Sequence, residues 1–201
     1  MEQRTRRLVL LSLLGGMGVV LRMFDFPILP AAPFLKVDLS EIPVFIGMLT
    51  NGPFGLICVA FVRDLLNFLI KGGEAGIPIG AIMSFIASFS LFIPTHFVLK
   101  RHATALEWRD YLKIAIYSAF LLVVTMSLFN YFIALPIYIR VLNFPIESKM
   151  AFIKGAVIPF NLIKSLLMTV MQWGVIQIAI RSFKPYLDAG YIRIWSSTTN
   201  H

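Results

Sequence analysis

Six apolar runs constrain the fold of this chain more than any other feature of its sequence. They lie at residues 8–24, 41–50, 54–70, 79–99, 114–139 and 155–181. The runs are continuous and do not alternate between apolar and polar residues, which favours membrane-spanning helices over a β-barrel. With 58% hydrophobic and 14% charged residues, the chain is too apolar for a soluble domain of its size. We therefore predict an all-α integral membrane protein, with a single domain of six transmembrane helices over residues 1–201.

The distribution of basic residues indicates how these helices cross the membrane. The net charge is +8. If the N-terminus is placed inside, the cytoplasmic segments hold ten Lys and Arg residues and the outer segments hold five. Cytoplasmic loops carry this kind of excess, so we expect both termini in the cytoplasm. The positive net charge is explained by basic residues on the cytoplasmic side of the lipid bilayer, so no nucleic-acid partner is expected.

The last run contains two polar residues that are costly to place in a membrane. Asn161 and Lys164 are three residues apart and share one face of a helix. Pro159 precedes them and removes a backbone donor, so we expect the helix to bend there. An amide and an ammonium at this depth need a partner, a ligand or trapped water. Lys164 is interpreted as lining a polar pocket, with snorkelling or an ion pair with Asp64 as the alternatives.

Further polar residues are predicted to gather with this pair near the outer face. The expected topology brings together the proline-rich loop Asp25–Ser40, the end of the fifth helix and the start of the sixth. The candidates for one outward-facing cavity are Lys36, Asp38, Asn130, Tyr131, Tyr138, Arg140, Asn161 and Lys164. Apolar walls with a few placed polar groups suit a small ligand. The alternative for the two loop charges is that they are simply solvated.

Two other helices carry candidate functional residues. The third helix contains Asn67 as well as Arg63 and Asp64, which are adjacent and are expected to point apart. The first helix carries small residues at Ser12, Gly15 and Gly16, and the spacing of Ser12 and Gly16 lets another helix approach closely. Spacing alone leaves open whether that helix belongs to this chain or to a partner.

Several kinds of chemistry are excluded by missing motifs. A single cysteine, Cys58, cannot form an intrachain disulfide, and no His-Glu-x-x-His pattern indicates a metal site. No Gly-x-Ser-x-Gly elbow or Walker motif is present. We therefore expect no enzyme activity, no metal and no cofactor. Two classes of protein remain: a binding subunit and a stand-alone secondary transporter. A secondary transporter would need an intramembrane carboxylate, and only Asp64 is a candidate.

Three segments resemble a known family. PFLKVDLSEIPVFIG, NYFIALPIY and IPFNLIK are similar to signature segments of the substrate-binding S components of energy-coupling factor (ECF) vitamin transporters. The resemblance covers nearly the whole chain and is closest to riboflavin-type S components. It implies a six-helix bundle in a prokaryotic plasma membrane that captures a vitamin outside, the vitamin being a transported substrate.

The resemblance also implies partners and site residues. The partners are a transmembrane coupling subunit (EcfT-like) and two cytoplasmic ATPases (EcfA-like), whose ATP hydrolysis drives the S component to topple in the bilayer. Ser12 and Gly16 match the docking face of the first helix, and Gly15 is predicted to belong to the same face. Asn130, Asn161 and Lys164 match ligand contacts, and the Lys36–Asp38 loop matches the lid.

Two positions depart from the riboflavin-type pattern. Ser84 stands where an asparagine is usual, and Asp64 replaces a common Asn or Ser. Ser84 is kept as a candidate ligand contact. Because of these departures, pantothenate is the alternative ligand, with Lys164 or Arg140 meeting its carboxylate.

Overall fold

The structure, a computed structural model, describes residues 2–29, 35–101, 106–182, 187 and 191. The predicted positions at residues 30–34, within the proline-rich loop and the first signature segment, lie outside this range. The helices are α1 (Glu2–Leu21), α2 (Glu41–Lys71), α3 (Ile79–Arg101), α4 (Trp108–Phe129), α5 (Leu135–Val141), α6 (Lys149–Phe152) and α7 (Ile158–Ser182). A π-helical segment at Asn130–Ala134 joins α4 to α5, and a second at Ile153–Val157 joins α6 to α7.

Four of the described helices are long and apolar enough to cross a membrane. They are Glu41–Lys71, Ile79–Arg101, Trp108–Val141 and Lys149–Ala179. Two of these begin six residues before the predicted runs, at Trp108 and Lys149 instead of residues 114 and 155. Trp108 begins a helix because Glu107 and Asp110 form a capping box that satisfies backbone N–H groups of the first turn. At Lys149, the Ser148 side chain accepts a hydrogen bond from Ala151 N.

Helix α2 is a hairpin of two arms, residues 41–50 and 53–71. Asn51 and Gly52 leave helical geometry, and Gly52 takes a positive φ of 62°. At about 1.5 Å per residue, Glu41 and Arg63 would lie about 33 Å apart in one straight helix. Their side chains instead meet at 3.4 Å, so the chain reverses direction at Asn51-Gly52-Pro53, the gap between the second and third apolar runs. Gly47 and Gly55 allow close contact of the arms, because a Cβ at Gly55 would lie 2.0 Å from the Gly47 carbonyl oxygen.

The loop before α2 forms a short two-stranded ribbon at the end of the bundle. Strand β1 (Phe26–Pro27) pairs antiparallel with β2 (Lys36–Val37). The Lys36 ammonium is exposed and lies 2.8 Å from Asp25 Oδ1. Asp38 Oδ1 accepts a hydrogen bond from Ser40 N at 2.7 Å, which connects the ribbon to the first turn of α2. Both predicted loop residues therefore have protein partners.

Candidate functional site

A cluster of charged side chains lies inside the bundle where α1 ends and where α2, α3 and α7 meet. Its members are Arg22, Glu41, Arg63, Asp64 and Lys164. Arg63 is at the centre, and its side chain is 0% exposed. Its guanidinium lies 3.4 Å from Glu41 Oε2 and 3.0 Å from Asp64 Oδ2, while Arg22 pairs with Asp64 Oδ1. Three basic and two acidic groups leave this charge cluster with a formal charge of +1.

Serine hydroxyls complete the hydrogen bonding of Arg63. Its Nη1 donates to Ser40 Oγ at 3.2 Å, and its Nη2 donates to Ser84 Oγ and Ser88 Oγ, both at 2.9 Å. Ser88 in turn donates to Glu41 Oε2 at 2.7 Å. A buried guanidinium is tolerated in apolar surroundings only when its N–H groups have partners. Arg63 is therefore a structural cation that connects the two arms of α2 to α3.

Lys164 lies at the edge of the charge cluster and is less completely paired. Its Nζ lies 3.4 Å from Glu41 Oε1, which is its one polar contact within the described part of the chain. The side chain is 12% exposed. An ammonium has three N–H donors, so Lys164 keeps the capacity to donate hydrogen bonds to a bound ligand.

The charge cluster overturns two expectations and adds a residue that sequence reasoning missed. Arg63 and Asp64 do not point apart, because the long arginine side chain turns back along its helix and hydrogen-bonds the neighbouring carboxylate. The alternative ion pair of Lys164 with Asp64 is also wrong, since Lys164 pairs with Glu41. Glu41 was missed because it is the first residue of an apolar run, where a charged side chain is expected to lie at the membrane surface.

Asn161 lies on α7 one turn before Lys164 and is 2% exposed. Its amide nitrogen donates to the Val157 carbonyl oxygen at 2.7 Å. Its Oδ1 is buried and accepts no hydrogen bond from the described residues. An acceptor that is buried without a donor costs about 1–3 kcal/mol. Asn161 Oδ1 is therefore a buried acceptor whose hydrogen bond the described residues do not supply.

Asn130 shows the same local arrangement on the neighbouring helix. It is buried, and its amide nitrogen donates to the Met126 carbonyl oxygen at 2.7 Å. Asn130 begins the first π-helical segment, and Asn161 follows the second segment by one turn. The two π-helical segments contact each other. The structure thus places Asn130 in the first π-helical segment and Asn161 one turn after the second, on two parts of the chain that contact each other.

Each of the two π-helical segments is followed by a proline. Pro136 and Pro159 each lie two residues beyond the end of a segment. A proline has no N–H, and its ring displaces the carbonyl group four residues earlier. Those carbonyls belong to Phe132 and Gly155, within the two segments, so the helix widens there from i→i+4 to i→i+5 bonding. The bend predicted at Pro159 thus takes the form of a π-helical turn.

The remaining predicted residues are dispersed around this centre. Ser84 belongs to it, since its Oγ also accepts from Arg22 Nη1 at 2.9 Å. Asn67 lines a small polar cavity of about 230 Å³ that also includes Arg22. Tyr131 is half-buried with Lys149 Nζ 5.7 Å from its ring centroid. Tyr138 is half-buried against the main core, and Arg140 is exposed.

A larger cavity of about 510 Å³ lies elsewhere, between α1, the first arm of α2 and α7. Its walls are almost entirely apolar and include Leu14, Ile46 and Val175. None of the predicted substrate-binding residues lines it, and it offers a polar ligand little to hydrogen-bond. This cavity therefore does not contain the polar groups that were predicted to contact a ligand.

The small residues of α1 face different surroundings. Ser12 is exposed, and a Cβ added at Gly16 would meet nothing within 4 Å. Gly15 is buried, and a Cβ there would lie 2.5 Å from Val62 Cγ1. Gly15 thus packs α1 on the second arm of α2, so its predicted place in the docking face is wrong. Ser12 and Gly16 lie on an open part of the surface of α1.

Comparisons with known proteins give a consistent result. The family model described as the substrate-specific component of ECF transporters matches residues 6–176. The riboflavin transporter FmnP of Bacillus subtilis is 30% identical over 188 residues, which cover 92% of this chain and 95% of that protein. The riboflavin transporter RibU of Streptococcus thermophilus is 33% identical over 169 residues, covering 83% and 79%. A solved structure of the S component of a bacterial ECF transporter has 27% identity and a TM-score of 0.74, covering 90% of this chain and 99% of that one.

Proposed function

Because this chain belongs to the substrate-specific components of ECF transporters, as its sequence predicted, we propose that it is a high-affinity riboflavin-binding S component. The family is a transporter component and not an enzyme, and the chain is a multi-pass protein of the cell membrane. Relatives named riboflavin transporters, about 30% identical over most of the chain, support the choice of vitamin.

The observation that carries the proposal is the buried, unpaired Oδ1 of Asn161, one turn from the incompletely paired Lys164. Riboflavin has a flat ring system with one edge that presents an imide N–H between two carbonyl groups. Asn161 Oδ1 would accept from that N–H, and Lys164 Nζ would donate to a carbonyl oxygen. Asn130 would contribute a second amide, and the apolar side chains around them would cover the ring.

Pantothenate and a secondary transporter are less well supported. A pantothenate carboxylate approaching Lys164 would meet Glu41, whose Oε1 is already 3.4 Å from Nζ. A proton-coupled transporter would need a carboxylate that is free to take up a proton. Asp64 is instead paired with both Arg22 and Arg63.

A titration with both vitamins tests the proposal. Purified protein in detergent is titrated with riboflavin, followed by quenching of flavin fluorescence, and separately with pantothenate by calorimetry. We expect saturable riboflavin binding at one site per chain and no pantothenate binding. Saturable binding of pantothenate alone would overturn the choice of vitamin.

The remaining parts of the proposal concern topology and partners. We propose six spans with both termini in the cytoplasm, the two arms of α2 counting as separate spans. The ribbon that includes Lys36, together with Asp38 next to it, would act as the lid, since this loop joins the start of α2 beside the charge cluster. Ser12 and Gly16 would dock the coupling subunit. ATP hydrolysis by the two ATPases would then topple the S component to release the vitamin inward.

A further inference from the structure

A groove between α3 and α4 has features that transport of a vitamin does not use. It lies where α3 ends and α4 begins and has a volume of about 570 Å³. Its lining residues are Pro94, Phe97, Val98, Arg101, Lys113, Tyr117, Phe120 and Leu121. No predicted vitamin-binding residue is among them.

The walls of the groove suit a hydrocarbon chain. Phe97, Tyr117 and Phe120 are 53%, 55% and 69% exposed. All three lie on helices that are long and apolar enough to cross a membrane. Exposed aromatic side chains on such helices face lipid. The groove therefore opens sideways into the bilayer.

The mouth of the groove is positively charged. Arg101 is the last residue of α3, and Lys113 lies in the second turn of α4. Lys113 Nζ lies 3.0 Å from Asp110 Oδ1 and remains 52% exposed. The Asp110 carboxylate is buried and also accepts from Glu107 N, so it fixes the position of Lys113 without covering the mouth. Counting Asp110, the mouth carries a formal charge of +1 from these three residues.

We propose that this groove binds one anionic phospholipid. Its phosphate would lie between Arg101 and Lys113, and one acyl chain would run along Phe97 and Phe120. Basic pockets between membrane helices at the interface select anionic head groups in this way. A zwitterionic lipid would bring its own cation to the same mouth and lose much of the attraction. The apolar wall distinguishes the site from a simple phosphate site.

The test counts lipids bound to the full chain. Purified protein is titrated with phosphatidylglycerol, phosphatidylcholine or soluble glycerol phosphate, and bound molecules are counted by native mass spectrometry. The test variant is Arg101→Gln with Lys113→Gln. The matched control is Lys100→Gln with Arg109→Gln, which removes two exposed charges from the same end without altering the lining.

We expect the wild type to bind one phosphatidylglycerol molecule tightly. The test variant should bind it about 30-fold more weakly, because each basic residue contributes about 1 kcal/mol and each 1.4 kcal/mol changes the affinity about tenfold. The control variant should retain the bound phosphatidylglycerol, and glycerol phosphate should bind much more weakly than the lipid. Equal retention of phosphatidylcholine, or equal loss in the control variant, would overturn the proposal by showing unselective or diffuse attraction. Binding of glycerol phosphate as tight as that of the lipid would equally reject a lipid site. All four residues are exposed, and circular dichroism checks that the variants fold.

Discussion

Two regions of the bundle handle buried polar groups in opposite ways. Where α1, α2 and α3 meet, Arg63 uses two carboxylates and three serine hydroxyls, so its charge is compensated within the chain. On α7, Lys164 has a single contact at 3.4 Å and Asn161 Oδ1 has none among the described residues. The polar groups of the first region are satisfied within the chain, whereas those of the second are not. The difference distinguishes polar groups that stabilise the fold from those that we propose bind the ligand.

The largest expected effect is on stability, from Arg63→Met. Removing this guanidinium leaves Glu41 and Asp64 buried with fewer partners. Breaking a buried ion pair by removing one member costs about 3–5 kcal/mol. Thermal unfolding in detergent should shift far downward, whereas Arg140→Met, at an exposed position, should change the free energy of unfolding by about 0.5 kcal/mol or less. A melting temperature for Arg63→Met equal to that of the wild type would show that the ion pairs of Arg63 with Glu41 and Asp64 do not stabilise the fold.

Substitutions at two neighbouring glycines of α1 should have a smaller effect on stability, and the two variants should differ from each other. Gly15→Leu forces a side chain into Val62 and should destabilise the fold by about 1–3 kcal/mol. Gly16→Leu meets open space and should leave thermal unfolding and riboflavin binding unchanged. The same Gly16 variant should fail to co-purify with the coupling subunit and its ATPases. Normal assembly by Gly16→Leu would reject the docking face.

Lys164→Ala should have little effect on stability and a clear effect on affinity. The ammonium has one long contact, so its loss costs the folded protein little, while a hydrogen bond from a charged group to the ligand is worth about 1.5–3 kcal/mol. Riboflavin affinity should fall about 10- to 100-fold with the melting temperature nearly unchanged. Lys154→Ala, an exposed lysine on the preceding segment, is the matched control. A large drop in stability without loss of riboflavin affinity would show that Lys164 stabilises the fold, as Arg63 does, and does not bind the ligand.

The sequence predicted most of the helical architecture because long apolar runs carry a strong signal. The gap between the runs 41–50 and 54–70 holds Asn51-Gly52-Pro53, residues that favour tight turns, and the chain reverses direction there. The start of α4 was missed because Trp108–Lys113 is polar enough to resemble a surface segment. The capping box of Glu107 and Asp110 is the signal that marks it.

The candidate site was predictable only in part. Asn130, Asn161 and Lys164 stood out because polar groups are rare in apolar runs. The partner of Lys164 did not, since Glu41 comes from 123 residues away in the chain and the pairing depends on how the helices pack. The π-helical segments were not predictable from proline alone, because Pro136 and Pro159 follow such segments whereas Pro94 lies inside α3 without one.

The most direct test of the account is riboflavin titration of Asn161→Ala beside the wild type, with thermal unfolding measured on the same samples. The substitution removes the buried unpaired acceptor that the ligand is proposed to satisfy. We expect flavin quenching to require at least about tenfold more riboflavin, at a melting temperature that is equal or higher. An unchanged riboflavin affinity in a folded Asn161→Ala protein would contradict the central claim that α7 holds its polar groups for a ligand.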